Sequence, residues 1–232
     1  MQFSRFACAQ DCPRYGCRSD LVVSASLLEI HGQAEFLKRP ALEVFRRAYR
    51  LSPVIDQGLH RVRMRFTLRK PCVFLENGLT CGIYASRPAV CALFPEYLAS
   101  FSGEERRRFQ AANDIAHYPC VAEGGLLLTA EREEAIRRLW RIHEKELLAT
   151  EIYLFGLAGF GVDLRQDMAA LAGGAAGEIP YAIVEKALDR RIAREGLSGE
   201  IEGRIAALDT GEGMENYWSA LPIVEALLEG GI

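Results

Sequence analysis

Polar and apolar positions alternate most clearly over residues 59–69, where Val62, Met64, Phe66 and Leu68 interleave with Arg61, Arg63, Arg65, Thr67 and Arg69. A period of two predicts a β-strand with one apolar face. The arginine face reads as a solvated antiparallel surface. Elsewhere the period is helical. Ser26 with Glu29 three residues on forms a capping box ahead of Leu27, Leu28 and Ile30, and Pro40 suits the first turn of a second helix carrying Leu42, Phe45 and Tyr49. Asn77-Gly78 predicts a hairpin over residues 72–84. Pro88 opens a helix with Val90, Cys91 and Phe94 on neighbouring positions of its first turns.

A charged helix is expected over 103–117, followed by a loop with Tyr118-Pro119-Cys120 and Gly124-Gly125. Thr129 then caps a long helix through Leu148, whose apolar face holds Ile136, Leu139, Trp140 and Leu147. Beyond it, alanine, leucine, glutamate and arginine broken by glycines at 173–174 and 211–213 predict further helices. Residues 1–23, with Pro13 and Gly16 among their cysteines, read as a loop. The expected fold is α+β and predominantly α-helical: a small β-hairpin or sheet, with cysteine loops packed among helices. Residues 1–128 form a cysteine-cluster domain and 129–232 a helical C-terminal region.

At 232 residues and 50% hydrophobic, the chain has enough apolar content for a substantial core without needing a metal or a disulfide to fold. A formal net charge of −3 implies no overall pull toward nucleic acid or anionic membrane. No long apolar segment suggests export or membrane insertion, so a cytoplasmic location is expected. Seven cysteines in a reducing compartment then point to metal or redox chemistry, since an odd number leaves one outside any disulfide scheme.

The cysteines are Cys8, Cys12, Cys17, Cys72, Cys81, Cys91 and Cys120. A tetrahedral zinc takes four ligands and a cubane cluster four thiolates. These spacings hold no paired C-x2-C knuckles, so they identify neither metal; they require that segments far apart in sequence converge. Arg18 and Arg87 are candidates for offsetting thiolate charge, by donating to sulfur or to a nearby carbonyl. Of His31, His60, His117 and His143, only His117, three residues before Cys120, is considered as a ligand, and surface or capping roles fit all four better. No P-loop, dinucleotide fingerprint or Ser/His/Asp arrangement is present.

The segment "PCVFLENGLTCGIYASRPAVCALFP", residues 71–95, resembles the signature of the bacterial CxxCxxCC cysteine-cluster family of zinc- or iron-chelating domains. Pro71, Cys72, Phe74, Leu75, Cys81, Ile83, Tyr84, Arg87, Pro88, Cys91, Phe94 and Pro95 carry the likeness. The amino-terminal "FACAQDCPRYGCR" is similar to the leading cysteine motif of that family, and closer to its variant in flagellin lysine N-methylases. Cys8, Cys12, Cys17 and Arg18 match, with Gly16 where a further cysteine would stand. "YPCVAEGGLLLT" resembles a downstream segment through Cys120 and Gly124.

The resemblance implies a metal-bound cysteine cluster, and the related methylases are described as using an iron–sulfur cluster with S-adenosylmethionine. Three classes of function follow. The favoured one is an iron–sulfur cluster, 4Fe-4S, for redox, sensing or accessory work. The second is a zinc staple whose C-terminal helices bind a protein partner, and the third a protein lysine methyltransferase-like enzyme that binds S-adenosylmethionine at the cluster. The site residues are the seven cysteines in each case.

Overall fold

The computed structural model describes residues 14–19, 21–56, 61–115, 117–118, 120–121, 128–159 and 181–229. Helices predominate beside two small antiparallel sheets, so the fold is α+β and mainly helical. A one-turn helix α1 (Tyr15–Arg18) precedes strand β1 (Ser24–Ala25), helix α2 (Leu27–Leu37) and helix α3 (Ala41–Ala48). The Ser26–Glu29 capping box is complete, each side chain accepting from the other residue's backbone N–H at 2.8 and 3.1 Å.

Strands β2 (Tyr49–Asp56) and β3 (Arg61–Leu68) form a sheet with β1 in the order β1-β3-β2. Ala25 pairs with Phe66 on one side of β3 and Leu51 pairs with Phe66 on the other. One detail differs from the pattern read in the sequence. The helical spacing that includes Tyr49 stops at Ala48: Tyr49 is extended, pairs with Leu68 and donates its hydroxyl to Gln33 at 2.8 Å. Pro53 lies in β2 opposite Met64, and a proline is tolerated there because β2 is at the sheet edge.

Two side chains on the polar face of β3 are not solvated. Arg65 and Thr67 are buried, as are Met64, Phe66 and Leu68 on the opposite face. Phe45 of α3 meets Phe66 edge-on at 4.9 Å. On the other face, Arg65 meets Glu144 at 3.5 Å and Glu151 at 3.6 Å, and Thr67 shares a 2.6 Å hydrogen bond with Ser52. An acidic helix supplies counter-charges that strand alternation alone does not reveal.

That helix is α6 (Ala130–Gly159), which Gly156 interrupts at φ +66° and ψ 178°. Its first turn is capped by the Thr129 hydroxyl, which accepts from the Arg132 N–H at 3.2 Å. The helix runs past Leu148. Before it come β4 (Leu75–Glu76), β5 (Thr80–Cys81), α4 (Ala89–Leu93) and α5 (Gly103–Ala112), with 3₁₀ turns at Tyr84–Ser86 and Glu96–Ser100. The charged helix ends at Ala112 instead of 117, because Asp114 adopts φ +49° and the Asn113 side chain donates back to the Phe109 carbonyl.

Helices α7 (Tyr181–Glu195), α8 (Leu197–Ala207), α9 (Gly211–Trp218) and α10 (Ala220–Glu229) complete the described chain. One buried cluster joins residues from Leu21 to Val224, so α8, α9 and α10 share a core with the cysteine-bearing half. Asp209 accepts from the Ala41 N–H with both oxygens, at 3.0 and 3.2 Å, which caps α3 where Pro40 has no capping side chain. Tyr217 donates to the Glu146 carbonyl at 3.3 Å and Tyr153 to the Arg204 carbonyl at 3.1 Å. Gly213 allows α9 to approach α8: a Cβ there would sit 1.9 Å from the Ala207 carbonyl oxygen. Among the described residues, no helix is long and apolar enough to cross a membrane.

Candidate metal centre

The thiols sit on short elements held by their neighbours. The Asn77-Gly78 turn adopts φ +48° and +70°, and the Leu79 N–H donates to the Glu76 carbonyl at 3.0 Å, which closes the β4–β5 hairpin. Cys72 precedes this hairpin and Cys81 ends it, with Leu75 paired to Cys81. Pro88 stands at the N-cap of α4, whose middle residue is Cys91, and the Phe94 N–H donates back to the Val90 carbonyl at 3.1 Å.

Cys17 comes from the amino-terminal segment, which reads as a loop in the sequence and forms the single helical turn of α1. Four donors stitch that turn to the hairpin region. The Cys72 N–H donates to the Cys17 carbonyl at 2.9 Å, and the Lys70 ammonium donates to the Gly16 carbonyl. Arg14 donates to the Leu79 carbonyl at 2.7 Å and Arg18 to the Gly78 carbonyl at 2.9 Å. The contacts span more than fifty residues of sequence.

Four of the seven cysteines thereby share one electrostatic neighbourhood. Burial pushes the Cys91 thiol up to about 12, with Lys70 opposing and Cys17, Cys72 and Cys81 adding to the rise. Burial also raises Cys81, while Arg87 and a backbone N–H from Ile83 favour its thiolate. Cys81 and Cys91 therefore resist ionising, because burial and neighbouring negative charge both raise the cost of the thiolate. A bound cation removes that penalty, and thiolate ligation releases the protons.

Aromatic side chains wall one side of Cys91. Tyr97 lies stacked on Trp140 at 4.8 Å and meets Phe94, Phe101 and Phe109 at 6.0, 5.8 and 5.9 Å. Burial and the neighbouring Cys91 raise the Tyr97 phenol above its usual range. The buried Glu96 pairs bidentately with Arg132, at 3.1 and 2.6 Å, which ties this wall to the start of α6.

Cys120 is half-buried on a turn just past Tyr118, whose ring meets Phe94 at 6.4 Å. Cys8 and Cys12 lie outside the described residues. Arg18 bonds the hairpin turn, and Arg87 donates to the Tyr84 carbonyl at 3.0 Å with its guanidinium 3.8 Å above the Tyr84 ring. His117 is exposed, 3.7 Å from Asp114, and packs edge-on against Tyr118. Lys70 and Arg14 were not singled out by the sequence pattern; their only mark is proximity to Pro71-Cys72 and to Cys17. His143, read as a surface or capping residue, is buried.

The cysteine motif can now be set against known families. Residues 7–117 match the CxxCxxCC family. That family is described as a putative zinc- or iron-chelating domain, and the matched span contains Cys8, Cys12, Cys17, Cys72, Cys81 and Cys91. No curated protein and no solved structure matches the chain. The likeness to a zinc- or iron-chelating domain covers just under half of the chain, with Cys120 and helices α6 to α10 beyond the matched span.

Proposed function

We propose that the chain is a cysteine-cluster protein that holds an iron–sulfur cluster, 4Fe-4S, for redox or sensing work. Cys17, Cys72, Cys81 and Cys91 are its central ligands, and Cys8, Cys12 and Cys120 complete the thiol set around it. The observation that carries this reading is the convergence of the thiols: Cys17, Cys72, Cys81 and Cys91, drawn from three segments of the chain, share one electrostatic neighbourhood. A cubane cluster takes four thiolates, and the seven cysteines of the chain exceed the four ligands that a structural zinc needs.

The surroundings support the same reading. Iron–sulfur potentials are tuned by burial and by hydrogen bonds to sulfur. The packed rings of Phe94, Tyr97 and Trp140 place apolar surface on the segment after Cys91, and Lys70 and Arg87 supply positive charge near Cys91 and Cys81. When bound, the cluster supplies reversible one-electron chemistry; the chain shields it and balances its charge.

Protein purified without oxygen and assayed for iron, zinc and acid-labile sulfide tests the proposal. Iron and sulfide near four per chain, with broad absorption near 400 nm, is the expected result. Stoichiometric zinc in a colourless sample would overturn it and leave the cysteines as a folding staple.

A further inference from the structure

We infer that Glu29, His143 and Glu146 form a binding site for one divalent transition-metal cation, distinct from the cysteine pocket. Glu29 comes from the first turn of α2, and His143 and Glu146 lie three residues apart on α6, so they share one face of that helix. One ligand atom from each of the three lies within 4.8 Å of the others. Both helices are packed into the core.

The second observation is His143 itself. It is 2% exposed, and neither ring nitrogen has a hydrogen-bond partner. Nδ1 faces Glu29 Oε1 at 3.4 Å without hydrogen-bond alignment. Buried polar groups are satisfied in the great majority of cases, so an imidazole left this way beside two carboxylates points to a ligand between them.

The carboxylates, in contrast, are held in place. Glu29 Oε2 accepts from the Ser26 N–H at 2.8 Å and Oε1 from the Ala89 N–H at 2.5 Å, while the Ser26 hydroxyl donates to Glu146 Oε2 at 3.3 Å. Such partners orient metal ligands and leave each oxygen a further lone pair. Burial, reinforced by the Glu29 charge, pushes the Glu146 carboxyl up to about 7. A dication neutralises both carboxylates at once. One imidazole and two carboxylates suit Mn2+, Fe2+ or Zn2+ and lack the soft sulfur that dominates the cysteine pocket. Glu29 also joins the two places, because the Ala89 N–H that it accepts begins the helix of Cys91.

Mn2+ is the probe, since it favours nitrogen and oxygen ligands over thiolates. The full chain, purified without oxygen and with its cysteine site as isolated, is titrated with Mn2+ and followed by electron paramagnetic resonance. The expected result is one bound Mn2+ per chain with an electron spin-echo modulation from a single directly bound nitrogen. Glu146→Gln is expected to weaken binding by about tenfold or more and His143→Gln to abolish the nitrogen modulation, each with the iron, zinc and sulfide content of the purified chain unchanged. That unchanged content separates this site from the iron–sulfur proposal, which can fail without affecting it. Absence of bound Mn2+, bound Mn2+ without nitrogen modulation, or unchanged affinity in Glu146→Gln would overturn the inference. If His143→Gln does not fold, the nitrogen modulation of the native chain decides alone.

Discussion

Replacing Arg65 by methionine isolates the buried charge under the central strand. Methionine keeps an unbranched apolar stem of similar reach and removes the guanidinium. Arg65 has 7% of its side chain exposed, and its partners differ: Glu151, at 3.6 Å, is 2% exposed, whereas Glu144, at 3.5 Å, is 45% exposed. The Glu144 contact is largely solvated and is worth at most about 1 kcal/mol. Removing the cation opposite the buried Glu151 breaks a buried ion pair from one side, a change that costs about 3–5 kcal/mol. With a urea slope of roughly 3 kcal/mol/M for a chain of this size, the midpoint of unfolding should fall by about 1–2 M. The double variant Arg65→Met/Glu151→Leu should recover at least half of that loss, because it removes the stranded charge with its partner. Urea unfolding followed by circular dichroism measures both. A loss under about 1 kcal/mol for Arg65→Met, the outcome for an ordinary surface arginine, would refute the argument, and so would strictly additive losses in the double variant.

Three further predictions rest on separate parts of the molecule. The elevated Cys81 and Cys91 thiols are protonated near neutral pH before metal enters, so loading should release protons and apparent metal affinity should rise with pH; calorimetry in buffers of different ionisation enthalpy reads the proton count, and a count of zero contradicts the pocket described. Gly213→Ala, which drives a Cβ into the Ala207 carbonyl, should destabilise by about 1–3 kcal/mol or more, whereas Gly203→Ala, with open space around it in α8, should stabilise by about 0.4–1 kcal/mol; thermal melts that rank the two the other way would show that α9 does not approach α8 this closely. Asp209→Ala should cost about 1 kcal/mol through loss of the cap on α3, and hydrogen exchange should locate the effect at the first turn of α3, more than 160 residues away in sequence.

Local rules explain why so much of the secondary structure was readable. The Ser26–Glu29 box, the Asn77-Gly78 turn and the Thr129 cap each depend on residues within a few positions of one another, and each forms. The errors fall where a distant partner intervenes. Tyr49 continues a helical spacing but is drawn into a strand by Leu68 and Gln33. β2 has no counterpart in the sequence reading, and its Pro53 is tolerated because the strand lies at the sheet edge. Arg65 read as solvent-facing because alternation reports which residues share a face, not what covers it.

The same division runs through the two candidate sites. Thiols in a recognisable spacing mark the cysteine pocket in the sequence itself, because metal chemistry demands particular residue types. Their convergence is a tertiary fact: Cys17 reaches Cys72 through a backbone hydrogen bond, with Lys70 and Arg18 securing the same junction. Glu29, His143 and Glu146 carry no such mark, since a glutamate in a capping box and a histidine on a charged helix are common surface residues. The sequence by itself determined the helical caps, the hairpin turn, the strand alternation and the presence of a thiol-rich metal motif. Only the packing of α6 across the sheet and against α2 decided which charges are buried and which side chains meet, because desolvation and contact depend on three-dimensional neighbours more than 100 residues apart along the chain.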